Sequence, residues 1–98
     1  MILHVVLFRF HENTTPIQVE DARRALMAMK GAISEIRGIS FGPNLAQSGD
    51  EWPYALVVQL DHMAAVGRYL AHPVHVDAVA KYVTPILAAR LAADLEAP

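Results

Sequence analysis

The chain has 98 residues, the size of one small domain, and we predict a single domain spanning residues 1–98. Hydrophobic residues make up 54% of the chain and charged residues only 18%. A small domain cannot bury that much apolar surface by itself, so self-association is expected. A net charge of −2 with no basic cluster larger than Arg23-Arg24 argues against nucleic-acid binding, and the absence of cysteine excludes disulfides and thiolate metal sites.

The first predicted element is a strand over residues 2–10, and both of its faces are mostly apolar. One face carries His4, Val6 and Phe8, and the other carries Leu3, Val5 and Leu7. A strand of this kind must be covered on both sides. The apolar run of this strand is interrupted by one histidine and one arginine, and it is too short for a secretory signal or a membrane span. We therefore expect a cytoplasmic protein with no membrane partner.

A helix is predicted to follow, beginning after Thr15 and ending before Gly38. Thr15, Pro16 and Gln18 suit the N-cap, the first helical position and the capping-box partner. Apolar residues then recur at helical spacing and form one stripe, which comprises Val19, Ala22, Leu26, Met29, Ile33 and Ile36. A glycine such as Gly38 is typical of a helix end.

The rest of the chain predicts two strands, a broken helical region and a closing strand. The second strand, over residues 39–45, contains a glycine and a proline that indicate a bulge or a sheet edge. The third strand covers residues 54–61. A short helix over residues 62–71 is followed by another that begins at Pro73, and Pro85 must kink or end it. The apolar stripe of this last helix comprises Val76, Val79, Val83 and Ile86. The closing strand covers residues 89–96.

The order of these elements is β-α-β-β-α-β, which predicts a ferredoxin-like α+β fold. In this fold the helices cover one face of an antiparallel sheet and leave the other face bare. Because the first and third strands are apolar on both faces, the bare face is expected to be an interface. We therefore predict a homodimer in which the face with Leu3, Val5 and Leu7 packs against the partner's sheet to close a shared α/β barrel.

The stretch RYLAHPVHVDAV, residues 68–79, contains a Tyr-x-x-His-Pro-x-His block formed by Tyr69, His72, Pro73 and His75. Together with ILHVVLFRF at the start, YALVVQL in the third strand and LAADLE near the end, this block resembles the stress-responsive dimeric α/β-barrel (Dabb) family over nearly the whole chain. The resemblance implies a ferredoxin-like monomer and a barrel-forming dimer, in agreement with the two-faced strands.

The resemblance does not imply one activity, because the family's members differ. Many bacterial members have no assigned activity, and plant members include stress-associated proteins and a polyketide cyclase that closes a ring by aldol condensation without cofactor or metal. Carried onto this chain, the catalytic pair of that cyclase is Tyr69 and His75, and a pocket histidine on its first strand is His4. Another pocket histidine, on the third strand, is replaced here by Leu56.

The chemistry of these side chains suits the implied roles. A neutral imidazole at His75 can accept a proton near pH 7, and the phenol of Tyr69 can donate a hydrogen bond to a developing enolate. The structural alternatives are a helix-start histidine bonded to backbone and a packed aromatic ring. We expect His72 to shape the turn or cap the helix that begins at Pro73.

These observations leave three hypotheses for function. The first is a cofactor-free lyase or cyclase that acts on a small carbonyl or polyketide-like substrate, with His75 and Tyr69 as catalytic residues and His4, Val6, Phe8 and Leu56 as substrate-binding residues of a small apolar pocket. The alternatives are a non-enzymatic stress-responsive dimer or small-ligand-binding protein, and a cofactor-free monooxygenase.

Neither a cofactor nor a metal site is expected from the sequence. His72 and His75 are separated by Pro73, and no carboxylate has a spacing that clearly completes a set of ligands. Asp94 and Glu96, on the closing strand, are interpreted as charges at its edge or rim.

Overall fold

The computed structural model describes residues 1–98 and contains four strands: β1 (Ile2–Phe10), β2 (Gly38–Pro43), β3 (Tyr54–Leu60) and β4 (Leu87–Glu96). They form one antiparallel sheet in the order β2-β3-β1-β4. The helices are α1 (Pro16–Ala32), α2 (Met63–Ala71) and α3 (Pro73–Ala78). The predicted ferredoxin-like α+β fold is confirmed, with two short helices in the place of its second helix.

The start of α1 is the one that the sequence predicts. The Thr15 hydroxyl accepts a hydrogen bond from the Gln18 N–H at 3.2 Å, and the Thr15 N–H donates to Gln18 Oε1 at 2.9 Å. This reciprocal pair gives hydrogen-bond partners to two backbone N–H groups, those of Thr15 and Gln18, that have none within the helix.

The end of α1 differs from the prediction. The helix stops before Ile33, whose backbone is extended (φ −115°, ψ 106°), and Gly38 begins β2 instead of ending α1. Ile33 and Ile36 remain buried because the turn after the helix folds back onto the core. Buried residues therefore continue at helical spacing after the helix has ended. For this reason the apolar periodicity predicts a helix that is too long.

The strand β2 lies at the edge of the sheet, as its proline and glycine indicate, but it is shorter at its end than predicted. The chain turns after Pro43, where the Asn44 side chain donates a hydrogen bond to the Trp52 carbonyl at 2.9 Å. Leu45, predicted to lie in the strand, is 94% exposed in this turn.

The region after α3 changes its helical geometry twice before β4 begins. A π-helical turn (Val79–Val83) is followed by a 3-10 turn (Thr84–Ile86), and Pro85 lies where the helix ends, as predicted. The predicted apolar stripe is wrong at Val76, which is 53% exposed. Because a π turn holds more residues than an α turn, it rotates the positions that face the core.

The helices cover one face of the sheet and leave the other bare. On β1 the covered face carries four buried residues, which are Ile2, His4, Val6 and Phe8. The side chains of Leu3, Val5 and Leu7 point to the bare face and are half-buried. The strand register adds apolar neighbours to that face, which are Val57 of β3 and Leu91, Ala93 and Leu95 of β4.

The strand β4 is the least covered part of the sheet. Its residues from Arg90 to Glu96 are all exposed, whereas the helices pack over β1, β2 and β3. The space between the helices and the sheet is consequently open along β4. None of the helices has both the length and the hydropathy required to cross a membrane; a cytoplasmic location stays a prediction.

Candidate active site

A cavity of about 420 Å³ lies between the covered face of the sheet and the helices, and apolar side chains form most of its wall. The residues that the sequence assigned to a site all line it, which are His4, Val6, Phe8, Leu56, Tyr69 and His75. A cavity of this size and character is typical of a small-molecule site. Of the three side chains that could fill such a space, Phe8 forms part of the wall, and Met27 and Met29 do not line the cavity.

The chain around Pro73 brings Tyr69 and His75 to the same wall of the cavity. Tyr69 lies in the last turn of α2, on the buried side of that helix. His72 ends α2, and its Nδ1 accepts a hydrogen bond from the Val74 N–H at 3.1 Å, so His72 caps the start of α3. The sharp junction between the two helices thus turns His75 back toward Tyr69.

Three rings meet at this wall. The ring centroids of Tyr69 and His75 are 4.6 Å apart with the planes inclined at 56°. His4 approaches Tyr69 from the sheet in an edge-to-face contact, with centroids 5.8 Å apart. Tyr69 therefore lies between the two imidazoles, and all three rings face one cavity.

His75 is held in a single neutral tautomer by the backbone. Its Nδ1 lies 3.0 Å from the Leu70 carbonyl oxygen, and because a carbonyl only accepts, Nδ1 must carry the proton. The lone pair is then on Nε2. Burial lowers the pKa of His75 below its usual value, and the hydrogen bond to Leu70 opposes this in part. The positive charge of Arg90 lowers the pKa further. His75 is thus a neutral base near pH 7.

Tyr69 is equipped to donate a hydrogen bond. Its side chain is 1% exposed, and burial raises the pKa of the phenol well above its usual value. The hydroxyl forms no hydrogen bond with another residue, yet it is not among the fully enclosed polar atoms, so it is open to the cavity. The phenol consequently stays protonated and has a free donor.

His4 is fixed by a partner that the sequence interpretation missed. Its Nδ1 lies 2.6 Å from Oδ1 of Asp94, the residue directly opposite it in the β1–β4 register. The Asp94 side chain is 32% exposed and so lies partly at the rim as expected, but its carboxylate is hydrogen-bonded to His4. The sequence does not show which residue of β1 lies opposite Asp94. The contact with His4 could have been predicted only by assuming the register of β1 with β4.

Further wall residues come from the end of the helical region and from β4. These are Leu70, Val79, Val83, Thr84, Leu87 and Arg90, with Leu26 of α1. The π turn presents Val79, Val83 and the adjoining Thr84 to the cavity. Val79 and Val83 lie on the predicted apolar stripe, whereas Thr84 does not. Leu56 makes the wall apolar where the resemblance implies a histidine in a cyclase.

The remaining histidines lie outside the cavity. His62 caps α2 by accepting a hydrogen bond from the Ala65 N–H at 3.2 Å, and His11 is exposed after β1. No three side chains of histidine, aspartate or glutamate are placed to bind a metal ion together. The polar side chains that meet near this wall are the imidazole of His75, the phenol of Tyr69 and the hydrogen-bonded pair of His4 and Asp94.

Comparison with known proteins relates nearly the whole chain to one family. Residues 2–97 match the family model described as Stress responsive A/B Barrel Domain (Dabb). No curated protein sequence matches the chain.

Solved structures with the same fold include bacterial and plant proteins. A dimeric ferredoxin-like protein of unknown function from Thermobifida fusca YX is 34% identical, with a TM-score of 0.84 over 98% of this chain and 90% of that one. A dimeric protein of unknown function from Bacteroides fragilis NCTC 9343 is 29% identical, with a TM-score of 0.84 over 98% and 95%. A hydroxynitrile lyase from Passiflora edulis is 14% identical, with a TM-score of 0.83 over 96% and 90%, and shares the fold alone.

Proposed function

The chain belongs to the stress responsive A/B barrel (Dabb) family, and within that family we propose that it is a cofactor-free lyase or cyclase acting on a small carbonyl or polyketide-like substrate. His75 is the base and Tyr69 is the hydrogen-bond donor. The observation that carries the proposal is the pair of rings at 4.6 Å on one cavity wall, where Nδ1 of His75 is bonded to the Leu70 carbonyl. The Passiflora hydroxynitrile lyase indicates that a lyase can have this fold.

The first step is removal of a proton from a carbon next to a carbonyl group. Nε2 of His75 takes the proton, and the electron pair of the broken C–H bond moves into an enolate. The enolate oxygen accepts a hydrogen bond from the Tyr69 hydroxyl, which stabilises the negative charge where it develops. The low pKa of His75 and the high pKa of Tyr69 keep both groups in the protonation states that this step needs.

The second step forms the new carbon–carbon bond within the same molecule. The enolate carbon attacks a second carbonyl carbon, and the resulting alkoxide takes the proton back from His75, so the ring closes with no net change in charge. The same groups catalyse the reverse reaction, in which the imidazole takes the hydroxyl proton, the carbon–carbon bond breaks and the enolate leaves. Neither direction consumes an oxidant, a reductant or a cofactor.

The substrate-binding roles are proposed for His4, Val6, Phe8 and Leu56. Val6, Phe8 and Leu56 form apolar wall on which a hydrocarbon part of the substrate can pack. The Asp94 carboxylate holds Nδ1 of His4, so Nε2 of that ring is the atom left to contact the substrate. The cavity, which no side chain fills, favours an enzyme or a ligand-binding protein over a dimer without a site.

The test is proton exchange at carbon. Wild-type protein is incubated in D₂O near pH 7 with 2-octanone and 2,4-octanedione, and the loss of the protons next to the carbonyl groups is followed by NMR. Enzyme-dependent exchange is expected in the wild type. His75→Ala is expected to lower it by about 10²-fold or more, and Tyr69→Phe by about 10²-fold.

The matched control is His11→Ala, which removes an exposed histidine from the end of β1 and should leave exchange unchanged. If neither ketone exchanges above the buffer rate, or if His75→Ala exchanges as fast as the wild type, the catalytic assignment is wrong. Ligand binding without exchange would favour the non-enzymatic ligand-binding alternative.

The bare face of the sheet is proposed as the homodimer interface. Two solved relatives are described as dimeric, and Leu91 and Leu95 on this face are 53% and 56% exposed in the single chain. Burial of such a face removes a continuous apolar patch from water. Val5→Lys at its centre is expected to give monomers in light scattering, whereas Ile17→Lys, on the exposed surface of α1, should stay dimeric; a dimeric Val5→Lys variant would contradict this interface.

A further inference from the structure

We propose that the substrate carries a carboxylate group and that the guanidinium of Arg90 binds it at the open side of the cavity along β4. This inference rests on the proposed function and narrows its substrate class to an apolar carbonyl compound with one acidic end. The carbonyl part would lie against Tyr69 and His75, and the carboxylate would lie at Arg90.

Arg90 is the one permanently charged side chain of the cavity wall. Asp94, on the same face of β4 as Arg90, is hydrogen-bonded to His4 and does not line the cavity. The wall therefore offers an anion a full positive charge with no negative charge to oppose it. None of the other polar side chains of the wall carries a permanent charge; these are His4, Tyr69, His75 and Thr84.

Arg90 also differs from the other arginines of the chain in having no partner. Four of the others form ion pairs with acidic side chains, which are Arg23, Arg24, Arg37 and Arg68. The guanidinium of Arg9 lies over the Trp52 ring at 5.7 Å. The donors of Arg90 are consequently free for a ligand, and their fork geometry matches the two oxygens of a carboxylate.

The position of Arg90 fits the charged end of an elongated ligand. Arg90 lies opposite Phe8 in the β1–β4 register, on the covered face of the sheet, but β4 itself is not covered by helices and Arg90 is exposed. A carboxylate there keeps part of its hydration, while the rest of the ligand enters the apolar wall formed by Val6 and Leu56. One guanidinium balances the full charge of a carboxylate but only half of the charge of a phosphate dianion.

Carboxylate binding at Arg90 would also act on the base. The charged or titratable groups that lower the pKa of His75 are His4 on β1, Arg90 on β4 and His72 at the junction of α2 and α3. A bound carboxylate offsets the charge of Arg90, so it raises the pKa of His75 toward its ordinary value. The base then becomes stronger when a substrate with the correct acidic end is in place.

The experiment compares octanoate with octanamide, which has the same chain and nearly the same shape but no charge. Binding to the dimeric wild-type protein is measured by NMR titration near pH 7. Octanoate is expected to bind about tenfold more tightly than octanamide. Arg90→Gln should remove this preference by weakening octanoate binding far more than octanamide binding. Arg90→Lys, which keeps the charge without the fork, should retain part of the preference.

The matched control is Lys30→Gln, which changes the net charge equally on the exposed surface of α1 and should keep the full preference. The pKa of His75, read from its ring proton, should rise in Arg90→Gln, and saturation with octanoate should raise it in the wild type but not in that variant. These readouts also establish that the variant is folded.

Several outcomes would overturn the carboxylate site. Equal binding of the two probes, a preference that persists in Arg90→Gln, or failure of octanoate to bind at all would each do so. If octanamide binds and ketone exchange depends on His75, the proposed function stands while the acidic end of the substrate is wrong. If ketone exchange is absent but octanoate binds through Arg90, the site binds a carboxylate and the catalytic proposal fails instead.

Discussion

Removal of the Asp94 carboxylate is expected to destabilise the fold through His4, which has its ring in the core. His4 is 5% exposed, and its Nδ1 has one partner, Asp94 Oδ1 at 2.6 Å. A buried donor that loses its partner costs about 1–3 kcal/mol. Because the Asp94 side chain is 32% exposed, the bond is partly solvated, and we expect Asp94→Ala to lower the free energy of unfolding by about 1.5 kcal/mol.

The assay is urea unfolding at a fixed protomer concentration, followed by the fluorescence of Trp52, the only tryptophan. For a chain of this length, a loss of about 1.5 kcal/mol moves the midpoint by about 1 M urea. Glu96→Ala is the matched control, since Glu96 lies on the same face of β4, is exposed and forms no hydrogen bond through its side chain.

A double-mutant cycle isolates the pair. In a His4→Phe background, Asp94→Ala should cost about 1 kcal/mol less than in the wild type, because the donor that it serves is gone. The reasoning is refuted if Asp94→Ala costs no more than Glu96→Ala, or if its cost is the same with phenylalanine at position 4.

Three further predictions concern the helices and the paired rings. Tyr69→Phe should change the free energy of unfolding by less than about 0.5 kcal/mol, because the hydroxyl makes no hydrogen bond within the protein; a larger loss in urea unfolding would mean that it does. Because burial lowers the pKa of His75, the unfolded chain binds more protons than the folded one as the pH falls through about 6.5, so the free energy of unfolding should decrease there. Urea unfolding of the wild type and of His75→Gln at about pH 7.5 and about pH 5.5 should show a smaller decrease in the variant. Thr15→Ala should cost about 1 kcal/mol by thermal or urea unfolding and Thr15→Ser almost nothing, because a serine hydroxyl keeps the hydrogen bond to the Gln18 N–H.

Local signals in the sequence were sufficient for several features. The capping residues Thr15 and Gln18 are three positions apart, so their contact follows from helix geometry alone. The alternation of β1 separates His4, Val6 and Phe8 from the opposite face because side chains of a strand alternate strictly. The effect of Pro85 is equally local, since a proline cannot continue a helical hydrogen-bond ladder.

The ends of elements were harder to predict because burial and helicity are not the same property. Ile33 and Ile36 are buried at helical spacing although α1 has ended, and Val76 is exposed although it lies on the predicted stripe. Ile33 and Ile36 pack against the core outside a helix, whereas Val76 lies in α3, whose continuation is a π turn with a different spacing. A single periodicity of 3.6 therefore represents neither region.

By itself the sequence determined the fold class, the two-faced first strand and the block that carries Tyr69 and His75, because these depend on residues near one another in the chain. The tertiary structure decided how distant residues meet. Asp94 reaches His4 only through the register of β1 with β4, and Arg90 reaches the cavity only because the helices leave β4 uncovered. The site is therefore a product of strand pairing and helix placement, and those are set by the packing of the whole domain.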